Sequence, residues 1–246
     1  SSLTTIGREY YERAVKLIGD VSELDTLAKD EGASLEGQLR LAAPLSFGLT
    51  HLSPAIDIFM RVHPGLAINI DFSDRQVDLV EQGVDLAIRI ADLKDSSLHA
   101  RRICPIRLLL CASPSYLEKH GSPQQPKDLK AHQILGYSLR GAHTIRLGNG
   151  KNDEQMVQIS SRMTANNGDF LHEMALAGHG IVALPTFIVW QSLAAQKLVP
   201  VLQPYTPPAL NAWAVYPQTR YLSQRARRFI DFIAERFGDS PYWDEY

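Results

Sequence analysis

Apolar residues or Gly recur at Leu3, Gly7, Tyr10, Ala14, Leu17, Val21, Leu24 and Ala28, in alternating steps of four and three. Ile6, Tyr11, Ile18 and Leu27 widen the stripe, while Arg8, Glu9, Glu12, Lys16, Glu23 and Lys29 take the opposite face. The spacing predicts one amphipathic helix that ends near Gly32. At about 1.5 Å per residue, a helix over 3–29 would be roughly 40 Å long, more than a domain of this size needs. One reading lays the helix on its own core. The 3.5-residue period favours another, in which helices of two chains pair along this seam.

From Leu35 the texture changes to short apolar runs alternating with helical patterns, which predicts an α/β arrangement with largely parallel sheets. The strand candidates are 39–43, 67–72, 85–90, 106–112, 133–137, 162–165, 181–184 and 211–216. A helix is expected over 54–63, with Ser53 as N-cap, Pro54 at the first position and Ile56, Phe59 and Met60 facing inward. Further helices are expected over 76–82 (stopped by Gly83), 169–177 (stopped by Gly178) and 223–237. In the last, Ala226, Phe229, Ile230, Ile233 and Phe237 share one face. Residues 143–160 read as a hairpin around Gly148-Asn149-Gly150.

Prolines at Pro114, at 123–126 and at 204–208 bracket residues 113–207 as an inserted unit. The expected organisation is a helix over 1–32, one subdomain from 35–112 and 208–238, a second from 113–207, and a tail over 239–246. Two crossings between α/β lobes describe a hinged clamshell with its ligand in the cleft.

Composition narrows the function classes. The 25 Lys+Arg against 27 Asp+Glu give a net charge of -2, without the basic excess of a surface that coats nucleic acid. Two cysteines cannot make a disulfide framework, so a reduced, cytoplasmic setting is expected, and no apolar run is long enough to span a membrane. The first residues lack the apolar core of an export signal. The eight histidines, His51, His63, His99, His120, His132, His143, His172 and His179, never occur as His-Glu-x-x-His, and no G-x-S-x-G is present. Cys104 and Cys111 sit at or in an apolar strand, where inert thiols are the rule. With no paired acid and base either, no enzyme, metal site or cofactor is expected. What remains are donors at strand-to-helix turns: Pro44-Leu45-Ser46-Phe47-Gly48, and Asn166-Asn167-Gly168-Asp169. Such edges bind small anions, although Ser46 and Asn167 could equally serve to cap the backbone.

In order along the chain, several strings resemble the LysR-type transcriptional regulators. They are Gly37-Gln38-Leu39-Arg40-Leu41-Ala42-Ala43-Pro44, Leu52-Ser53-Pro54-Ala55-Ile56, His63-Pro64-Gly65, the run from Asp74 to Ile90, and Ala112-Ser113-Pro114-Ser115-Tyr116-Leu117. Asn166-Asn167-Gly168, Ala177-Gly178-His179-Gly180-Ile181, Leu184-Pro185 and Phe229-Ile230-Asp231-Phe232-Ile233 follow. The resemblance implies an α/β, two-lobed type 2 periplasmic-binding-protein-like fold behind a long N-terminal linker helix. It also implies a small-molecule effector, possibly a carboxylate, in the interlobe cleft, and self-association through the linker. DNA would be reached only through an upstream winged helix-turn-helix domain. The cleft residues carried over are Pro44, Leu45, Ser46 and Phe47, Arg89 and Ile90, Tyr137 and Ser138, Asn166 and Asn167, and Leu184 and Pro185. Arg89 could instead pair with Asp85 or Asp92, and Phe47 and Tyr137 could be core. An aromatic acid, an amino acid or another small anion all suit such a cleft. A solute receptor of the same fold, feeding a transporter, is the alternative function.

The seam over 3–28 predicts a dimer or higher oligomer by light scattering, weakened when residues 1–32 are removed. A monomer in both cases would overturn the pairing reading.

Overall fold

The computed structural model describes residues 4, 6, 7, 10, 11, 13, 14, 34–73, 83–92, 98–140, 144–149, 154–217 and 222–246. Of the N-terminal seam, Gly7, Tyr10 and Ala14 are helical, with Tyr10 exposed. Leu3, Leu17, Val21, Leu24 and Ala28 lie outside the described residues, as do the helix expected over 76–82 and the hairpin tip at Gly150.

The rest builds two five-stranded sheets. In the first, β2 (Leu66–Phe72), β1 (Gly37–Ala43), β3 (Leu86–Ala91), β12 (Leu210–Pro217) and β4 (Leu98–Ile106) lie in that order. In the second the order is β11 (Val199–Val201), β5 (Leu108–Ala112), β10 (Ile181–Pro185), β6 (Ile134–Tyr137) and β9 (Met163–Ala165). A separate hairpin joins β7 (Thr144–Gly148) to β8 (Glu154–Gln158). Both large sheets are mixed rather than largely parallel. β12 returns antiparallel between β3 and β4, and β5 runs antiparallel to both of its neighbours.

The expected single strand over 106–112 is two. The chain leaves the first sheet at Ile106 and enters the second at Leu108, so the crossing lies at Arg107 rather than at the Ser113-Pro114 joint. There Pro114 opens a helix, α3 (Pro114–His120), with the Ser113 hydroxyl accepting from the Tyr116 N–H. The stretch 98–103 carries no apolar alternation because β4 is an edge strand that leaves His99, Ala100, Arg101 and Arg102 exposed.

After β1 the chain is helical from Leu45 to Val62 in three registers: α1 (Leu45–Phe47), a π-turn (Gly48–Leu52) and α2 (Ser53–Val62). Ser53 is therefore not an N-cap, and its backbone is already helical. The wide turn lies directly upstream of Pro54, where a regular turn would drive the proline ring against the carbonyl four residues back. The inward stripe is Leu52, Ala55, Ile56 and Phe59, at helical spacing, and Met60 falls outside it at 37% exposure. Helix α4 (Gly168–Leu176) is capped by Asn167, and α5 (Thr186–Ala194) follows β10 directly. In α6 (Gln224–Phe237) the five apolar residues named from the sequence are all buried on the first sheet.

The two sheets are joined by an aromatic block. Phe47 contacts Phe187, Phe237 and Trp243 edge to face, with centroids 5.3 to 5.8 Å apart. Phe187 comes from α5, on the second sheet, yet it is buried in the core of the first. Residues 239–246 are thus no loose tail. Trp243 is fully buried, and the Asp244 carboxylate accepts from the Thr186 hydroxyl at 2.6 Å and from Arg107 at the crossing. His51, in the π-turn, completes the joint. Its Nε2–H donates to the Phe187 carbonyl at 3.0 Å, which leaves Nδ1 to accept from the Tyr242 hydroxyl at 2.6 Å.

Burial pushes His51 below the ordinary histidine value, as it does His63, His132 and His172. The folded chain keeps these rings neutral while the unfolded chain takes up protons near pH ~6.5. Stability is therefore full above about pH 6.5 and falls as the pH drops below it. His51→Ala should lower unfolding free energy in urea by about 2–4 kcal/mol, through the lost ring and the two groups left unpaired. It should also flatten the fall in Tm between pH 7.5 and 5.5.

Candidate functional site

A cavity of about 550 Å³ opens between the two sheets, within the range of small-molecule sites. It lies at the carboxyl ends of β1, β3, β6 and β10, where strand-to-helix turns leave polar backbone and short side chains facing a crevice. Pro44 and Ser46 reach it from the β1–α1 corner, and Arg89, Ile90 and Asp92 from the end of β3. Tyr137 ends β6, and Ala183, Leu184 and Pro185 end β10. The walls are chiefly apolar, completed by Ile88, Leu108, Leu139, Phe187, Ile188 and Leu210. Arg89 and Asp92 are the charged residues among these lining groups.

Of the residues expected in the cleft, seven meet at this cavity: Pro44, Ser46, Arg89, Ile90, Tyr137, Leu184 and Pro185. Five do not. Helical rotation turns Leu45 outward and Phe47 inward, where Phe47 is fully buried in the aromatic block. Ser138 and Asn166 are exposed, away from the lining. Asn167 is the N-cap of α4, its side-chain oxygen accepting from the Phe170 N–H at 2.9 Å, which is the capping role weighed for it.

Ser46 is 7% exposed, and its hydroxyl donates to Asp169 Oδ2 at 2.6 Å, from the first lobe to the second. No side chain caps the helix that begins at Leu45, so Ser46 serves this contact and not its own helix end. Asp85, one of the partners weighed for Arg89, accepts from the Arg40 backbone N–H at 2.9 Å.

Several lining residues escaped the sequence reading. Ser73 and Asp92 stand just past the ends of β2 and β3, and the rule that ligands gather at carboxyl ends of strands would have found both. Phe187 and Ile188 lie on α5, whose sequence TFIVWQSLA has no polar face to mark it as a helix. Leu108 and Leu210 depend on where the chain crosses between sheets. Among the described residues, no group of three or more His, Cys, Asp or Glu could hold a metal ion, and no helix is long and apolar enough to cross a membrane.

A family model, the LysR substrate binding domain, matches residues 32–238. An HTH-type transcriptional regulator of Haemophilus influenzae is 37% identical over 219 residues, covering 89% of this chain and 76% of that protein. The structure of CrgA, a LysR-type transcriptional regulator from Neisseria meningitidis, superposes with a TM-score of 0.74 at 33% identity, covering 97% of this chain and 81% of that one. The CrgA regulatory domain alone gives a TM-score of 0.71 at 32% identity over 83% of this chain and 100% of that one.

Neither cysteine belongs to the site. Burial pushes the thiols of Cys104 and Cys111 up to about 12. In the native protein at pH 8 both should resist an aromatic disulfide reagent, and both should react at once in urea. Rapid labelling of the folded chain would contradict this burial.

Proposed function

The chain belongs to the LysR-type transcriptional regulators, with their substrate-binding domain over residues 32–238, and on that premise we propose that the cavity between its lobes binds a small anionic effector. Members of the family bind small-molecule effectors and DNA and are not enzymes. The observation that carries the assignment is the composition of the cavity. One cation, Arg89, and a buried hydroxyl, Ser46, stand with the carboxylate of Asp92 among apolar walls contributed by both lobes. A compact carboxylate with an apolar body suits these walls, since Arg89 gives it a charge-assisted partner and Ile88, Ile90, Leu184 and Ile188 cover the rest.

Binding in such a cleft changes the relative pose of the lobes. Helix pairing along the seam of residues 3–28 would pass that change to a DNA-reading domain. A coupling of about 1–3 kcal/mol between effector and DNA geometry alters occupancy roughly 5- to 150-fold, so the required shift is modest. The transport-receptor reading has no support among relatives that are transcription regulators.

Aromatic acids, amino acids and other small anions, screened by calorimetry and thermal shift, test the site. A true effector at 100 times its Kd should stabilise the fold by about 2.7 kcal/mol. Arg89→Ala should weaken it about 10- to 100-fold, and Ser46→Ala should weaken it as well. Unchanged affinity in Arg89→Ala would move the effector out of this cavity, and unchanged affinity in Ser46→Ala would remove Ser46 from the site.

A further inference from the structure

We propose that Asp169 is an internal carboxylate that occupies the anion donor of the cavity, latching the lobes through Ser46 until an effector carboxylate displaces it. This rests on the reading of the cavity as an effector site. The Ser46–Asp169 bond joins residues 123 positions apart, one on each lobe, and at 2.6 Å it has the length of a charge-assisted hydrogen bond. Asp169 is not the cap of its own helix, because Asn167 already caps α4, although its charge suits the first turn. Among the described residues no Lys, Arg or His forms an ion pair with Asp169. His172, one turn further along α4, bonds the Ser192 hydroxyl at 2.8 Å and acts on Asp169 only through space, without an ion pair. The carboxylate is therefore held by the Ser46 proton and by the N-terminal end of α4.

Gly168, the residue beside Asp169, lines the cavity, as Ser46 does. An effector carboxylate seeking the Ser46 proton meets a carboxylate already there, and two such groups on one donor repel each other. The effector can take the hydroxyl only as α4 moves away. Ligand binding is thereby coupled to separation of the lobes at this rim. A bond that merely held the lobes together would need no carboxylate recognition, and this difference can be measured.

Asp169→Ala deletes the carboxyl group and leaves a gap the size of formate, while Asp169→Gly leaves one the size of acetate. In the full chain, with chloride at equal ionic strength as control, the matching ion should raise Tm saturably by about 2–4 °C. Wild type and the double variants that add Ser46→Ala should show no such gain. No rescue of either truncation, or equal rescue without Ser46, overturns the proposal. Should the truncations fail to fold, Asp169→Asn keeps the shape. Its drop in urea midpoint must vanish in the Ser46→Ala background, and additive losses overturn the latch. Formate and acetate report on the latch without any effector. An effector that binds wild type while neither ion rescues defeats the latch alone; rescue without any binding in the screen defeats the effector reading and leaves the Ser46–Asp169 carboxylate contact standing.

Discussion

The structure depends on the aromatic block where the lobes meet. Phe47 from the β1–α1 corner, Phe187 from the start of α5, Phe237 from the end of α6 and Trp243 from the last turn converge there around His51. Edge-to-face pairs of this kind contribute about 0.5–1.5 kcal/mol each beyond their buried area. Their geometric effect is larger. A ring rooted in the second lobe is part of the first lobe's core, so the lobes cannot slide freely at this edge. The buried Asp244 bonds to Thr186 and Arg107 tie the same α5 turn to the crossing strand.

This joint explains where the cavity is and which of its walls are rigid. Ser46 is next to Phe47 in sequence, so the block fixes the position of its hydroxyl. Pro185 and Phe187 flank Thr186, whose backbone N–H bonds the Arg107 carbonyl at 2.9 Å, so the α5 wall is equally fixed. Helix α4 has no residue in the block, and it carries Asp169. Ser46, placed by the block, and Asp169, on α4, therefore meet across the two lobes at the rim of the cavity.

Much of the fold was legible because it follows from local periodicity. The strands from 39–43 to 211–216 were read as short apolar runs, and the inward face of α6 from 3.6-residue spacing. Legibility failed where the local signal was silent or carried two meanings. The mostly apolar TFIVWQSLA has no polar face, the edge strand β4 has no alternation, and 106–112 looks like one strand although its two ends join different sheets. Ser113-Pro114 is a helix start, which in sequence looks the same as a linker. In the cleft, the run Pro44 to Phe47 was found as a unit, but the helical turn sends alternate side chains to the cavity, the solvent and the core.

By itself the sequence determined the elements, their order and the chemical types at the strand ends, since these rest on interactions between near neighbours. The tertiary structure decided which of those residues share a space. Ser46 was legible as a donor, but its pairing with a carboxylate 123 residues away was not, because no periodicity links them. The chain's last turn read as a tail for the same reason. The burial of Trp243 comes from four rings, Phe47 and His51 on one helical segment, Phe187 on α5 and Phe237 at the end of α6, and only the packing of the two lobes brings them together.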